Sequence, residues 1–201
     1  MSKSILISMN PEFVEKILNH TKTIEIRKTK PKCELPCKVY IYCTKGKTTI
    51  DYIERKGELD WFGNIAEKTL ILTSPKYKFS MGEKLGKVIA EFTLNKVDTL
   101  ERDLSDWLPK NRYDVSNDLL KDINLNQNEL WNYGQGKTLY AWHIDDLKVY
   151  DKPKPLQVFF RPCGDCDKKD TDRCIYEDSY CRAKVIRPPK SYCYVEELEN
   201  E

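Results

Sequence analysis

Lys22, Glu25 and Arg27 are the residues whose types and spacing could do the most chemistry. They lie in the stretch His20-Thr21-Lys22-Thr23-Ile24-Glu25-Ile26-Arg27-Lys28. Side chains alternate along a strand, so Ile24 and Ile26 point one way and Thr23, Glu25 and Arg27 the other. One face can be core. The other sets a carboxylate beside a guanidinium, with Lys22 at its entrance. Such a face is either a solvated surface with an ion pair or the floor of a polar ligand site. Lys22 and Glu25 are also the candidate acid–base groups, because a buried lysine beside a carboxylate has a shifted pKa. Lys22 with Thr23 and a carboxylate could in principle make a lysine-activated hydroxyl nucleophile.

The second constellation is Cys163-Gly164-Asp165-Cys166 followed by Cys174 and Cys181, a C-x2-C-x7-C-x6-C spacing. A tight C-x2-C turn delivers two thiolates, and four close a tetrahedral structural zinc site with no open position. The intervening segment is short and polar, so a metal would supply its folding energy. The alternative is free surface thiols. Cys33 and Cys37 form a weaker pair with no obvious further ligands, and Cys193 reads as core. The two histidines, His20 and His143, sit in no ligand or nucleophile motif. There is no phosphate-cradling or dinucleotide-binding glycine loop.

These residues need elements to position them. Ser4 to Met9 reads as a strand with Ile5, Ile7 and Met9 on one face. Asn10 as N-cap and Pro11 at the first helical position start a helix whose stripe is Phe13, Val14, Ile17 and Leu18. Lys38 to Thr44 is a strand with Val39, Ile41 and Cys43 on one face and Tyr40, Tyr42 and Thr44 on the other. Residues 45–85 read as a long insertion with a possible hairpin of its own. In it, Ile50 to Glu54 is strand or helix and Thr69 to Thr73 is strand-like. Lys87 to Leu94 is a strand with Val88, Ala90, Phe92 and Leu94 together. Ser116 caps a helix carrying Leu119, Leu120 and Ile123. A second runs from Gln127 to Tyr133 and is ended by Gly134 and Gly136. Leu139 to Ile144, Leu147 to Tyr150 and Ser191 to Val195 complete the strands, the last following Pro188-Pro189. Six or more strands with few, short helices suit an α+β fold: a mixed sheet curled into a barrel with short edge helices, plus a small zinc-knuckle-like four-cysteine loop.

The chain has 201 residues, enough for one domain with insertions, and 40% apolar residues suffice for one core. With 34 basic and 32 acidic residues there is no strong global field, so a nucleic-acid surface must come from local clustering. The clearest cluster is Lys22, Arg27, Lys28, Lys30 and Lys32. No apolar run approaches ~20 residues, so no membrane span is expected. Ser4 into Ile5-Leu6-Ile7 lacks the layout of a signal peptide, so the expected location is the cytoplasm. There, eight cysteines argue for metal or free thiols over disulfides.

Ile5-Leu6-Ile7-Ser8-Met9, the helix Pro11 to Leu18 and the Lys22-x-x-Glu25-x-Arg27 motif together resemble the ASCH domain of the PUA-like superfamily. So do Val39-Tyr40-Ile41-Tyr42-Cys43-Thr44, Gly86-Lys87-Val88-Ile89-Ala90-Glu91-Phe92, Tyr140-Ala141-Trp142-His143-Ile144 and Pro188-Pro189-Lys190-Ser191-Tyr192-Cys193-Tyr194-Val195. The ordered set is similar to small ASCH proteins of Firmicutes and their phages, outside about 45–85 and 100–125. The resemblance implies one PUA-like domain over 1–201, interrupted by the 45–85 insertion and the 163–181 cysteine loop. It implies binding of nucleic acid, RNA before DNA, or of a modified nucleobase in a cleft floored by the motif. The expected binding residues are Lys22, Glu25, Arg27, Lys28, Tyr42, Trp142 and Ser191, with Tyr42 or Trp142 stacking on a base, although Trp142 also reads as core. His20 stands where that domain usually has glycine. Some ASCH-like enzymes deacylate N4-acetylcytidine with Lys, Thr and Glu. Their Lys matches Lys22, but their Thr falls at Glu25, so that activity is not expected. The alternatives are a hydrolase on a modified nucleoside or RNA, and a mobile-element accessory that meets a protein partner through 45–85 or the cysteine loop.

Overall fold

The computed structural model describes residues 3–46, 48–55, 68–75, 82–104, 111–162 and 183–198. The strands are β1 Lys3–Met9, β2 Ile24–Arg27, β3 Cys37–Cys43, β4 Thr48–Arg55, β5 Lys68–Pro75, β6 Lys87–Leu94, β7 Val97–Leu100, β8 Leu139–His143, β9 Asp145–Lys154 and β10 Tyr192–Glu196. The α-helices among the described residues are α1 Pro11–Leu18, α2 Asn117–Ile123 and α3 Gln127–Gly134. No helix among the described residues is long and apolar enough to cross a membrane.

Among the described residues the strands form three sheets and do not close into a barrel, which corrects the expectation of one curled barrel. A five-stranded sheet has the order β10-β1-β3-β6-β9, with β1 and β3 parallel and the other pairs antiparallel. A three-stranded sheet has the order β2-β8-β7, and β4 pairs with β5 alone. A closed barrel would need backbone ladders joining the edge strands of the two larger sheets, β10 and β9 of one to β2 and β7 of the other, and among the described residues none forms. Instead the Arg27 side chain spans the gap, donating from Nη2 to the Ser8 carbonyl at 3.1 Å and from Nη1 to the Ser191 carbonyl at 3.3 Å. The region 45–85 contains the paired β4 and β5, so Ile50 to Glu54 is strand.

Three apolar clusters hold the elements. One face of β1, β3 and β6 packs Ile5, Ile7, Val39, Ile41 and Phe92 against Val14 and Ile17 of α1, and against Trp142. The opposite face packs Leu6, Tyr40, Tyr42, Val88 and Val195 with Leu156 and Phe159. The small sheet packs Ile24, Ile26, Leu139 and Ala141 against Ile123 and Leu130 of α2 and α3. Val88 therefore lies on the other face from Ala90, Phe92 and Leu94. The register of β6 slips against β9 between Val88 and Ala90, and an extra residue there turns the following side chains over.

Local chemistry explains the ends. Asn10 occupies the N-cap of α1 but its side chain does not cap; Asn10 Oδ1 accepts from Thr44 Oγ1 at 3.4 Å instead. Ser116 caps α2 through the Leu119 N–H. Asn126 and Glu129 form a reciprocal capping box on α3. Gly134 is the last residue of α3 rather than a residue past it; it is buried, and the Tyr113 hydroxyl occupies the space a Cβ would need. Past the helix both Gln135, at φ 55°, and Gly136, at φ 72°, are left-handed, so Gly136 stands in the turn that ends α3.

The four-cysteine loop, Cys163, Cys166, Cys174 and Cys181, lies outside the described residues. Among the described residues no group of three or more His, Cys, Asp or Glu can hold a metal ion, and the expectation of structural zinc is corrected accordingly. Cys33, Cys37, Cys43 and Cys193 are free thiols. Burial pushes the Cys43 thiol up to about 12 and Cys37 higher still, away from the thiolate form that a metal needs.

Candidate functional site

The helix-to-strand turn after α1 delivers the first charge. Lys22 N–H bonds back to the Lys16 carbonyl, and His20 sits in the left-handed region at φ 55°. That conformation is one that glycine adopts without strain. The turn drops the Lys22 side chain inward to 2% exposure. Its Nζ donates to the Ile123 carbonyl at the end of α2 at 2.8 Å, lies 3.5 Å from Glu25 Oε2, and stands 5.7 Å from the Phe13 ring centroid. Burial lowers its pKa below the ordinary lysine value, and the neighbouring Glu25 works in the opposite direction.

The strand period then sets Glu25 and Arg27 on the side away from Ile24 and Ile26. Arg27 Nε is 3.1 Å from Glu25 Oε1. The approach is an ion pair without hydrogen-bond alignment, because Nε makes no hydrogen bond within the protein. Nη1 also donates to Ser191 Oγ at 3.3 Å. One carboxylate thus stands between two cations, and all three groups are buried.

This cluster forms part of the wall of a cleft of about 820 Å³. Ser8 and Met9 line it from β1, Asn10 from the N-cap of α1, Phe13 and Lys16 from α1, Glu129, Asn132 and Tyr133 from α3, and Pro188 to Ser191 from the segment entering β10. Lys16, Lys22, Arg27, Lys28 and Lys190 line it against Glu12, Glu25 and Glu129, an excess of positive charge that suits an anionic ligand.

Lys22, Glu25, Arg27, Lys28 and Ser191 are therefore brought together. Tyr42 and Trp142 are not. Tyr42 is buried in the cluster on the opposite face of the large sheet. Trp142 is fully buried, opposite Glu25 in the ladder and edge-on to Tyr192 at 5.3 Å. Thr23 is exposed and Lys30 and Lys32 point to solvent; none of the three lines the cleft. His143 pairs with Asp98 at 2.7 Å, away from the cleft, and His20 does not line it either. Sequence reasoning missed Phe13, Lys16, Asn132 and Tyr133. The helical spacing of Leu125, Glu129, Asn132 and Tyr133 was the available signal, since these share one side of α3 and its approach.

No protein-family model and no curated protein matches the chain. Solved structures do. The chain is similar to a serine-to-alanine mutant of ASCH from Zymomonas mobilis, with 15% identity and a TM-score of 0.51, covering 98% of this chain and 90% of that one. It is also similar to ASCH from Zymomonas mobilis at 17% identity and a TM-score of 0.44, covering 77% and 74%. At such identities the likeness is one of fold. The chain has an ASCH-type arrangement of mixed sheets and short helices, with a buried Lys22–Glu25–Arg27 cluster at its cleft.

Proposed function

We propose that the protein binds nucleic acid, RNA before DNA, or a modified nucleobase, in the cleft floored by Lys22, Glu25 and Arg27. The observation that carries this reading is the buried three-charge cluster at an open cleft of about 820 Å³. A purely structural ion cluster needs no cavity above it. This one also leaves Ser8 Oγ and Arg27 Nε, both in cleft-lining residues, without a hydrogen bond within the protein. The volume suits a nucleobase with its sugar and phosphate, and the surplus of lysine and arginine suits the backbone. Fluorescence anisotropy with labelled single-stranded RNA tests it. Affinity is expected to fall with salt, and Lys28→Ala and Lys190→Ala should each reduce the log–log salt slope by about 0.7. Salt-insensitive binding, or binding untouched by Arg27→Gln, would count against the cleft.

A second reading is favoured by one observation. Burial lowers the pKa of Lys22, whose amine lies 3.5 Å from Glu25, and a lysine so tuned can serve as a general acid or base. Product release from acylated cytidines or RNA, abolished by Lys22→Ala, would establish a hydrolase. Binding without turnover would set that reading aside.

A further inference from the structure

The cleft wall formed by α3 carries an aromatic ring that packing does not use up. Leu130 and Gly134 of this helix are buried, Leu130 within the small-sheet cluster, while Glu129, Asn132 and Tyr133 line the cleft. Glu129 is already committed, its carboxylate accepting from the Asn126 N–H in the capping box. Among the described residues the Asn132 side chain makes no hydrogen bond, and it is exposed. Tyr133 is 39% exposed, whereas Tyr42 is 6% and Trp142 is 0%. The Lys28 ammonium lies over one face of the Tyr133 ring, 4.8 Å from its centroid. The phenol also lies within electrostatic reach of the buried charges. Burial raises its pKa, with Arg27 acting to lower it and Glu25 to raise it.

We infer that Tyr133 is the stacking platform for one unpaired base of single-stranded RNA, with Lys28 on the adjoining phosphate and the Asn132 amide at the base edge. The inference rests on the nucleic-acid reading of the cleft. An aromatic face between a rim cation and a buried charge cluster suits a ligand that is flat at one end and anionic at the other. The Asn132 amide offers adjacent donors and an acceptor, the pattern that reads a base edge. Tyr133 takes the role for which the strand aromatics are too deeply buried.

The test compares labelled single-stranded RNA with an abasic strand of the same length. Circular dichroism checks the fold of each variant. Tyr133→Ala is expected to weaken RNA binding by roughly 5- to 150-fold, the equivalent of losing one stacked base, and to leave abasic binding unchanged. Tyr133→Leu, which keeps apolar bulk without a π face, should behave as the alanine variant does. Tyr133→Phe should retain RNA binding within about twofold. Equal losses on both strands, or RNA binding untouched in Tyr133→Ala and Tyr133→Leu, would overturn the inference. Wild-type protein that binds neither strand would overturn the reading beneath it and the inference together.

Discussion

Glu25 is the residue on which the cluster balances. It faces Lys22 at 3.5 Å and Arg27 at 3.1 Å, so neutralising it leaves two buried cations without their shared counter-charge. Glu25→Gln is expected to cost about 3–5 kcal/mol, read as a lower urea midpoint with an unchanged slope. Lys22 gives a prediction with a definite sign. Its folded pKa is below the ordinary value of 10.5 at which it titrates when unfolded. Between the two values the unfolded chain holds more protons, so stability rises with pH across that window; below it the burial penalty is complete. Denaturation at stepped pH should therefore show wild type gaining on Lys22→Met as pH climbs through the window toward 10.5. His20 holds a left-handed backbone at φ 55°, and His20→Gly is expected to stabilise by about 1 kcal/mol. The alternation of Glu25 and Arg27 against Ile24 and Ile26 was legible, because strand period is a local property. The partner of Lys22 was not, since the Ile123 carbonyl is 101 residues away. Tyr133 was not legible either, because its exposure depends on how α3 meets the cleft.

At the scale of elements, α1, β1, β3 and β6 were legible from periodicity, and α2 and α3 from their caps. The errors came where one element's geometry answers to another. Gly134 reads as a residue past the helix, yet it is the last residue of α3 and packs against Tyr113. Gly134→Ala is therefore expected to destabilise by about 1–3 kcal/mol through overpacking, read as a lower urea midpoint. Val88 reads as sharing a face with Ala90, but a register slip against β9 moves it to the opposite cluster. No local pattern announces a bulge. The same holds for barrel closure. Strand count and alternation suggest a curled sheet, while pairing between β2 and its neighbours is a long-range choice. Among the described residues no ladder joins the sheet edges, and the Arg27 guanidinium, which reaches from β2 to the Ser8 and Ser191 carbonyls, lines the cleft.

Over the whole molecule the formal charge is only +2, which by itself argues neither for nor against a polyanion. The sheets concentrate the imbalance, placing five basic side chains against three acidic ones around one cleft. Totals cannot show this, because the basic residues come from α1, the turn after it, β2 and the approach to β10. The most direct test of the central claim is a nitrogen–proton NMR titration of the protein with single-stranded RNA, following the Arg27 Nε–Hε signal and the backbone amides. The account predicts that Arg27 Nε–Hε, Lys28, Asn132, Tyr133 and Ser191 shift together and saturate at one equivalence point, while Leu6, Tyr40 and Val195 on the far face stay in place. Shifts confined to the far face, or an Arg27 signal unmoved at saturating RNA, would contradict it.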